Sequence, residues 1–246
     1  MSVIVVTGAS RGIGAAIAYA LAEAGYVVGC LSRSGALPAT PGGADAAVHS
    51  RLRPLQADVT QPDEVRRVTK EIVAAAGPLA GLVNNAGIHE EARSEDMSRE
   101  QWDVVMSSNA LSTVLCCQAA YPHLVEAGGG LIVNLGSFFD KLGVKRNLAY
   151  CASKAAVGAI TRVLSVEWAR AGIRVLDVAP GYVLTDLNRD SLQQGPLKAY
   201  LDGRIPLRRA ARAEEIGALV ALLFNGGSSF MTGETIYVDG GQGIAH

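Results

Sequence analysis

The chain has 246 residues, 49% apolar and 18% charged, which predicts a single globular domain rather than a disordered protein. Its formal net charge of −1 provides no positive field to attract nucleic acid or an anionic membrane. No apolar run reaches the roughly 18–20 residues of a membrane-spanning helix, so we expect neither a nucleic-acid nor a membrane partner.

Short apolar runs alternate with longer helical patterns along the whole chain. The runs predict seven strands: Val3–Thr7, Val27–Ser32, Arg53–Ala57, Gly81–Asn84, Leu131–Leu135, Arg174–Val178 and Thr235–Val238. The patterns between them predict five helices: Ile13–Ala24, Pro62–Ala76, Arg99–Val125, Ala149–Ala171 and Ala213–Leu223. Because several strands are apolar throughout, both sheet faces should be covered. The expected fold is α/β: a Rossmann-like, doubly wound, mainly parallel seven-stranded sheet flanked by helices.

Two segments depart from this alternation. Residues 33–50 contain Pro38, Pro41, Gly42 and Gly43, which predicts a loop or one short helical turn. Residues 185–208 have weak periodicity and follow a strand, at the sheet edge where open α/β folds bind ligands. We therefore expect a substrate lid there.

The cysteines and histidines carry no metal-binding or redox spacing. The four cysteines, Cys30, Cys116, Cys117 and Cys151, lack a C-x-x-C pair and suit reduced thiols of a cytoplasmic protein. The four histidines are scattered, so we expect no metal site.

The first strand runs into Thr7-Gly8-Ala9-Ser10-Arg11-Gly12-Ile13-Gly14 and then a helix. Glycines at such a turn let the backbone approach a phosphate closely, and the helix N-terminus offers it unpaired N–H groups. The spacing G-x-x-x-G-x-G differs from the common dinucleotide fingerprint and lacks the ending of a triphosphate-binding loop. A dinucleotide is the favoured ligand, and an ordinary strand–turn–helix connection is the alternative.

Tyr150 and Lys154 are four residues apart, and Ser137 precedes the tyrosine by thirteen. On a helix this spacing puts the phenol and the ammonium on one face. A nearby cation lowers the pKa of a tyrosine, which suits it to general acid–base catalysis. Taken alone the spacing is common on exposed helix faces.

Together these motifs resemble the short-chain dehydrogenase/reductase family, in its compact single-domain branch, over nearly the whole chain. The resemblance also includes Asp58-Val59, Asn84-Asn85-Ala86-Gly87, Asn109, Pro180-Gly181 with Thr185, and Thr232-Gly233-Glu234 near the C-terminus. It implies an oxidoreductase and a homotetramer with interface helices at 99–125 and 149–171.

The resemblance implies four catalytic residues: Asn109, Ser137, Tyr150 and Lys154. Tyr150 would exchange a proton with the substrate oxygen, and Ser137 would bind that oxygen. Lys154 would lower the Tyr150 pKa and hold the nicotinamide ribose, and Asn109 would position a water that links Lys154 to solvent. The implied cofactor-binding residues are Gly8, Ser10, Arg11, Gly12, Ile13, Gly14, Ser32, Arg33, Asp58, Val59, Asn84, Ala86, Gly87, Tyr150, Lys154, Pro180, Gly181, Val183 and Thr185.

The end of the second strand bears on the choice of cofactor. An NAD site usually has an acidic residue there, which repels a 2′-phosphate. This chain reads Leu31-Ser32-Arg33, and Arg33 with Arg11 could clamp that phosphate. NADP(H) is therefore favoured over NAD(H).

Five residues bear on the identity of the substrate. The expected substrate-binding residues are Ser137, Phe138, Phe139, Tyr150 and Tyr182, which suggest a partly aromatic pocket for a small carbonyl or alcohol. The chain is similar to 3-oxoacyl-carrier-protein reductases. Those that dock the acidic carrier protein tend to have basic residues before the fifth strand, and this chain has none in that stretch. One alternative is an NAD-dependent polyol, sugar or cyclic-alcohol dehydrogenase. The other is a non-catalytic dinucleotide-sensing regulator, but such a protein should lack Tyr150, Lys154 or Ser137, and this chain retains all three.

Overall fold

The structure is a computed structural model that describes residues 2–39, 45–185 and 195–245. Its strands are β1 (Val3–Thr7), β2 (Val27–Ser32), β3 (Leu52–Gln56), β4 (Leu79–Asn84), β5 (Gly130–Leu135), β6 (Ile173–Pro180), β7 (Val183–Leu184), β8 (Ala211–Arg212) and β9 (Thr235–Val238). Its α-helices are α1 (Gly12–Glu23), α2 (Ala46–His49), α3 (Pro62–Ala76), α4 (Arg99–Met106), α5 (Ser112–Glu126), α6 (Leu148–Trp168), α7 (Gly195–Arg204) and α8 (Ala213–Phe224).

Seven strands form one sheet in the order β3-β2-β1-β4-β5-β6-β9, and every neighbouring pair is parallel. The order reverses between β1 and β4, which makes this the switch point of a doubly wound sheet. The predicted Rossmann-like fold is confirmed, and each predicted strand lies within a few residues of an observed one.

Each face of the sheet is covered by helices. On one face α1 and α8 bury Ile17, Leu21 and Ile216 against β1, β5 and β6. On the other face α3 and α5 bury Val68 and Leu124 against the same central strands. Because β1 contributes buried side chains to both cores, its sequence is continuously apolar.

The helix predicted over 99–125 is one continuous helical run with a π turn in its middle. Ser98 begins α4 with a capping box that it forms with Gln101. The π turn Ser107–Leu111 then separates α4 from α5 and contains Asn109. Such single turns occur often at functional sites.

The two irregular segments differ in outcome. Residues 45–50 contain the short helix α2, capped by Asp45, as the loop-or-turn prediction allows. The lid prediction at 185–208 missed helix α7, while its residues 186–194 lie outside the described part of the chain. Within α7 and just after it, Leu201 and Ile205 are buried and pack with Tyr182 and Leu184.

The described residues contain no helix whose apolar stretch is long enough to cross a bilayer.

Candidate active site

A cavity of about 830 Å³ opens at the carboxyl edge of the sheet, where β1 and β4 diverge. Thirteen of the predicted cofactor residues line it: Gly8, Ser10, Arg11, Gly12, Ile13, Gly14, Ser32, Arg33, Asp58, Val59, Ala86, Gly87 and Thr185. The structure therefore brings together segments that lie far apart in the chain.

The β1–α1 turn forms the floor of this cavity. Gly8 and Gly12 have φ values of +66° and +58°, a conformation that L side chains rarely adopt. A Cβ on Gly8 would lie 2.9 Å from both Ala86 Cα and Asn85 Nδ2, so the turn needs glycine for space as well. The N-terminus of α1 lies on the cavity wall, where it can bind an anion.

Asn85 ties this turn to the end of β4. Its Nδ2 donates to the carbonyls of Thr7 and Gly8, at 3.0 and 3.2 Å. In return, Thr7 Oγ1 accepts from the N–H groups of Asn85 and Ala86, each at 3.0 Å. Asn85 therefore fixes the geometry of both cavity walls, a role that the sequence analysis did not assign to it.

Asn84, one of the implied cofactor-binding residues, does not line the cavity. Asn84 is buried in β4, and its Nδ2 donates to Asn134 Oδ1 at 2.9 Å and to Cys117 Sγ at 3.2 Å. Successive side chains of a strand point to opposite faces, so Asn84 faces the helix layer and Asn85 reaches the cavity.

At the far end of the cavity, β2 ends in buried Ser32 and exposed Arg33. Arg11 is exposed on the opposite wall. Of the described residues, the carboxylates that line the cavity are Asp58 and Asp103, and neither follows β2. Asp58 Oδ1 is held by the N–H and hydroxyl of Thr60, at 2.9 and 2.8 Å.

Of the described residues that follow β6 up to position 185, Thr185 lines the cavity, and it faces Gly12. Pro180 and Val183 are buried, and Gly181 packs against Asp239, where a Cβ would come within 2.8 Å of the Asp239 Cα. These three predicted cofactor residues are therefore supports for Thr185 rather than part of the cavity lining.

Ser137 and Tyr150 lie next to each other, and neither is among the residues that line the cavity. Ser137 is 7% exposed and follows β5, and its Oγ also accepts from Phe139 N at 3.3 Å, at the start of a 3-10 turn. Burial raises the pKa of Tyr150, whereas the hydrogen bond from Ser137 lowers it and the neighbouring Cys151 raises it. Burial therefore outweighs the lowering that was expected from Lys154, and the net direction is opposite to the predicted one.

Lys154 lies one turn after Tyr150 on α6 and is 6% exposed. Its Nζ donates to the carbonyl of Leu135 at 2.7 Å and lies 5.7 Å from the centre of the Tyr150 ring. Burial lowers the Lys154 pKa to about 8, and the carboxylate of Asp177 acts in the opposite direction. The ammonium therefore titrates close to neutrality.

Asn109 connects the π turn to the cavity wall. Its Oδ1 accepts from Ile88 N at 2.8 Å, and its Nδ2 donates to Ile88 O at 2.9 Å and to Ser153 Oγ at 3.0 Å. A Cβ on Gly87 would lie 2.9 Å from Asn109 Oδ1 and 3.9 Å from Lys154 Nζ. The glycine therefore lets the cavity approach both side chains.

An aromatic cluster surrounds Tyr150. Phe139 contacts the Tyr150 ring edge-on at 5.8 Å, and Phe138 contacts Tyr182 at 5.4 Å, all between ring centres. Both phenylalanines are buried. They therefore pack in the core as well as contacting the aromatic rings around Tyr150. His89 meets the other side of Tyr150 at 4.8 Å and hydrogen-bonds to Asn147 Oδ1.

Several site residues were not predicted from the sequence. The outer wall of the cavity comes from α4 and the π turn, through Asp103, Val104, Ser107, Ser108 and Leu111. His89 could have been noticed as a polar residue two positions after Gly87. Asp177 could also have been noticed, since it is the acidic residue of a strand that is apolar apart from Arg174.

Comparison with known proteins agrees with this geometry. A family model described as enoyl-(acyl carrier protein) reductase matches residues 8–242. A D-threitol dehydrogenase of Mycolicibacterium smegmatis is 36% identical over 98% of this chain and 93% of its own length. A 3-oxoacyl-[acyl-carrier-protein] reductase, FabG, of Staphylococcus aureus is 37% identical over 96% of each chain.

A solved structure shares the fold at full length. It is a gluconate 5-dehydrogenase from Burkholderia cenocepacia in complex with NADP and tartrate. The TM-score is 0.89 at 30% identity, and the match covers 100% of this chain and 96% of that one.

Proposed function

The chain belongs to the short-chain dehydrogenase/reductase family, and within it we propose an NADP(H)-dependent enzyme that interconverts a ketone and a secondary alcohol. Members of this family are oxidoreductases that act on CH–OH and C=O groups with NAD(P)(H). The observation that carries the proposal is the position of Lys154, whose Nζ lies 5.7 Å from the centre of the Tyr150 ring and next to Gly87 of the cavity wall, with Ser137 beside the same phenol.

The residues of the cavity suit a dinucleotide. The Gly8–Gly14 turn and the N-terminus of α1 would bind its pyrophosphate, with the glycine conformations described above. Asp58 would lie near the adenine, Ala86 and Gly87 on the ribose side, and Thr185 over the opening. When bound, the dinucleotide supplies the hydride.

In the reductive direction, Tyr150 donates its hydroxyl proton to the oxygen of the substrate carbonyl. Ser137 donates a hydrogen bond to the same oxygen and stabilises the charge that develops there. The charge of Lys154 favours the tyrosinate that remains, and its Nζ is placed to hold ribose hydroxyls next to Gly87. In oxidation Tyr150 accepts the proton instead.

The role of Asn109 in supplying protons needs one refinement. Both polar ends of its side chain are occupied by Ile88 and Ser153. Its main-chain carbonyl accepts a hydrogen bond from Thr113 Oγ1 at 2.9 Å, and a carbonyl oxygen has two lone pairs. We propose that this carbonyl, rather than the side chain, would hold the water that relays a proton to Lys154.

Selectivity for NADP(H) is proposed from the end of β2. Exposed Arg33 and Arg11 flank the cavity where an adenosine 2′-phosphate would lie, and the residue in the position of the usual acid is Ser32. An arginine fork binds a phosphate with two hydrogen bonds. A neighbouring structure with bound NADP supports the proposal.

Two substrate classes are compatible with the surroundings of Tyr150. Phe138, Phe139 and Tyr182 favour an apolar chain next to the carbonyl, as in a 3-oxoacyl thioester. His89 is held by Asn147 through its Nε2, and its other ring nitrogen would be able to bond a hydroxyl group, which favours a polyol or sugar as the second candidate. The similarity to both FabG and a D-threitol dehydrogenase supports keeping both.

The test is a cofactor-linked assay with a panel of substrates. NADPH and NADH oxidation would be followed with 3-oxoacyl thioesters, cyclic ketones and α-diketones, and NADP and NAD reduction with polyols. We expect turnover with at least one class and a higher kcat/KM with the phosphorylated cofactor. Tight dinucleotide binding without turnover of any substrate class would contradict the proposed enzymatic activity and favour a dinucleotide-sensing regulator.

We also propose that the chain forms a homotetramer. Large apolar side chains are exposed along the helices expected at the interface: Val104, Leu111, Tyr121, Val125, Leu148, Val163 and Val166. Val166 alone is 79% exposed. Sedimentation at micromolar concentration should give four chains, and a monomer would contradict this assembly.

A further inference from the structure

A carboxylate lies inside the sheet, beneath the catalytic helix. Asp177 belongs to β6 and is 0% exposed, on the sheet face covered by α6. Thr235 Oγ1 on β9 donates to its Oδ2 at 3.2 Å, while Oδ1 has no hydrogen-bond partner among the described residues. Buried carboxylates are costly unless they are paired, so a residue of this kind calls for an opposite charge nearby.

The backbone beside Asp177 leaves room for this carboxylate. A Cβ on Gly136 would lie 2.5 Å from Asp177 Oδ1 and 2.7 Å from Oδ2, so any side chain there would displace it. The residue before this glycine is Leu135, whose carbonyl accepts the Lys154 ammonium at 2.7 Å. Asp177 and Lys154 therefore contact two successive residues of one short segment, which joins β5 to Ser137.

The two charges act on each other. Burial raises the pKa of Asp177 to about 6, while Lys154 and the hydrogen bond from Thr235 lower it. Asp177 in turn raises the pKa of Lys154 against the effect of burial. Each group therefore favours the charged form of the other.

Other titratable groups face Asp177 more weakly. Asp140, on the 3-10 turn after Ser137, raises its pKa further. Tyr237 on β9 donates to Asp140 Oδ2 at 2.8 Å and feels the charges of Asp140, Asp177 and Arg162. Two cations lie near Asp177. Lys154 lowers its pKa, and Arg162 on α6 has its Nη1 3.4 Å from the position of a Cβ on Gly158, which is 3.9 Å from Asp177 Oδ2.

We propose that Asp177 is a positioning residue for Lys154. The Asp177 carboxylate supplies the counter-charge that keeps the buried Lys154 ammonium protonated at neutral pH. The proposal rests on the proposed function, in which protonated Lys154 holds the dinucleotide and polarises Tyr150. It adds a requirement that the glycine turn and the Tyr-Lys spacing do not contain: the site needs a carboxylate on the neighbouring strand.

The test is the titration of Lys154 itself, measured by NMR with ¹³C-labelled lysine. The chain has five lysines, so the Lys154 signal can be assigned by its loss in a Lys154→Met protein. In Asp177→Asn, an isosteric change that removes the charge, we expect the Lys154 midpoint to fall by roughly one pH unit. The matched control is Asp63→Asn, whose side chain is 95% exposed on α3 and which should leave the midpoint unchanged.

The unsubstituted protein provides a second test that does not depend on the folding of the variant. Because the Asp177 pKa is about 6, the Lys154 signal should show a second, smaller step near that pH. An unchanged midpoint in folded Asp177→Asn, or the absence of the second step in the unsubstituted protein, would overturn the proposal.

A parallel measurement separates this proposal from the proposed function. If Lys154 holds the dinucleotide, NADPH affinity measured by fluorescence should fall at a lower pH in Asp177→Asn than in the unsubstituted protein. A shifted Lys154 midpoint confirms the role of Asp177. Affinity that does not follow that shift would contradict the dinucleotide-binding role of Lys154 instead.

Discussion

The half of the sheet around β1 and β2 presents backbone to the cavity, whereas the half around β5 and β6 presents buried polar side chains. In the first half, β1 is apolar and fully buried, and its functional atoms are the N–H groups of a glycine turn. In the second half, Asn134, Ser153 and Asp177 are each 0% exposed and Lys154 is 6% exposed.

Under the proposed function, this difference separates cofactor binding from proton transfer. We call the half around β1 and β2 the cofactor half and the half around β5 and β6 the catalytic half. Main-chain groups can hold a phosphate without burying a charge, and their cost is only the restricted backbone of a few glycines. A proton-transferring group needs a pKa near the working pH, which burial and neighbouring charges provide. The catalytic half therefore carries charges that a purely structural sheet would exclude.

The largest effect should come from removing the buried cation. Lys154→Met keeps most of the side-chain volume but removes the ammonium, so we expect kcat/KM to fall by roughly 10²- to 10⁴-fold with the fold intact. Steady-state kinetics and circular dichroism would measure the two properties. Lys70→Met, an exposed change on α3, is the control, and activity within a few fold of that control would show that the catalytic half needs no charge.

Substitutions at the end of β2, in the cofactor half, should change the preference for NADPH over NADH. Ser32→Asp combined with Arg33→Ala removes one arginine and introduces an acid at the end of β2. Loss of a charged hydrogen-bonded pair costs about 1.5–3 kcal/mol, so the preference for NADPH over NADH should fall roughly 10- to 100-fold. Dissociation constants for both cofactors would measure it, with Arg66→Ala on α3 as the control. An unchanged ratio would contradict the assigned position of the 2′-phosphate.

A smaller effect is expected from a single methyl group in the glycine turn. A Cβ on Gly14 would collide with the Gly8 carbonyl and the Asn85 amide. Gly14→Ala should therefore cost about 1–3 kcal/mol of the free energy of unfolding and weaken dinucleotide binding. Urea denaturation would measure the loss. Gly227→Ala, where a Cβ meets nothing within 4 Å, should behave as the unsubstituted protein. Equal behaviour of the two variants would show that the turn tolerates a side chain.

The same contrast explains what the sequence could predict. The apolar runs are local patterns, so the strands and their parallel arrangement followed from them, whereas the set that contains the thirteen cavity residues followed from the family resemblance. The Tyr150–Lys154 spacing is local too, and both residues lie on α6 as expected.

Features that depend on tertiary packing were less accessible. Nothing in Ser107–Leu111 signals a π turn, since no proline or glycine interrupts the helix there. The direction of Asn84 depends on where the strand ends, and one residue decides whether Asn84 or Asn85 faces the cavity. The raised pKa of Tyr150 reflects enclosure by side chains from distant segments, which spacing does not reveal.

The central claim is that Tyr150 transfers the proton, and replacing its hydroxyl tests it most directly. Tyr150→Phe should leave the dissociation constant for NADPH unchanged and lower kcat by roughly 10²- to 10⁴-fold. Tyr26→Phe is the matched control, since that hydroxyl donates to the Phe224 carbonyl at 3.1 Å, far from the cavity. Steady-state kinetics of both variants on the best substrate of the panel should show the loss only for Tyr150→Phe. Comparable kcat values for the two variants would contradict the mechanism.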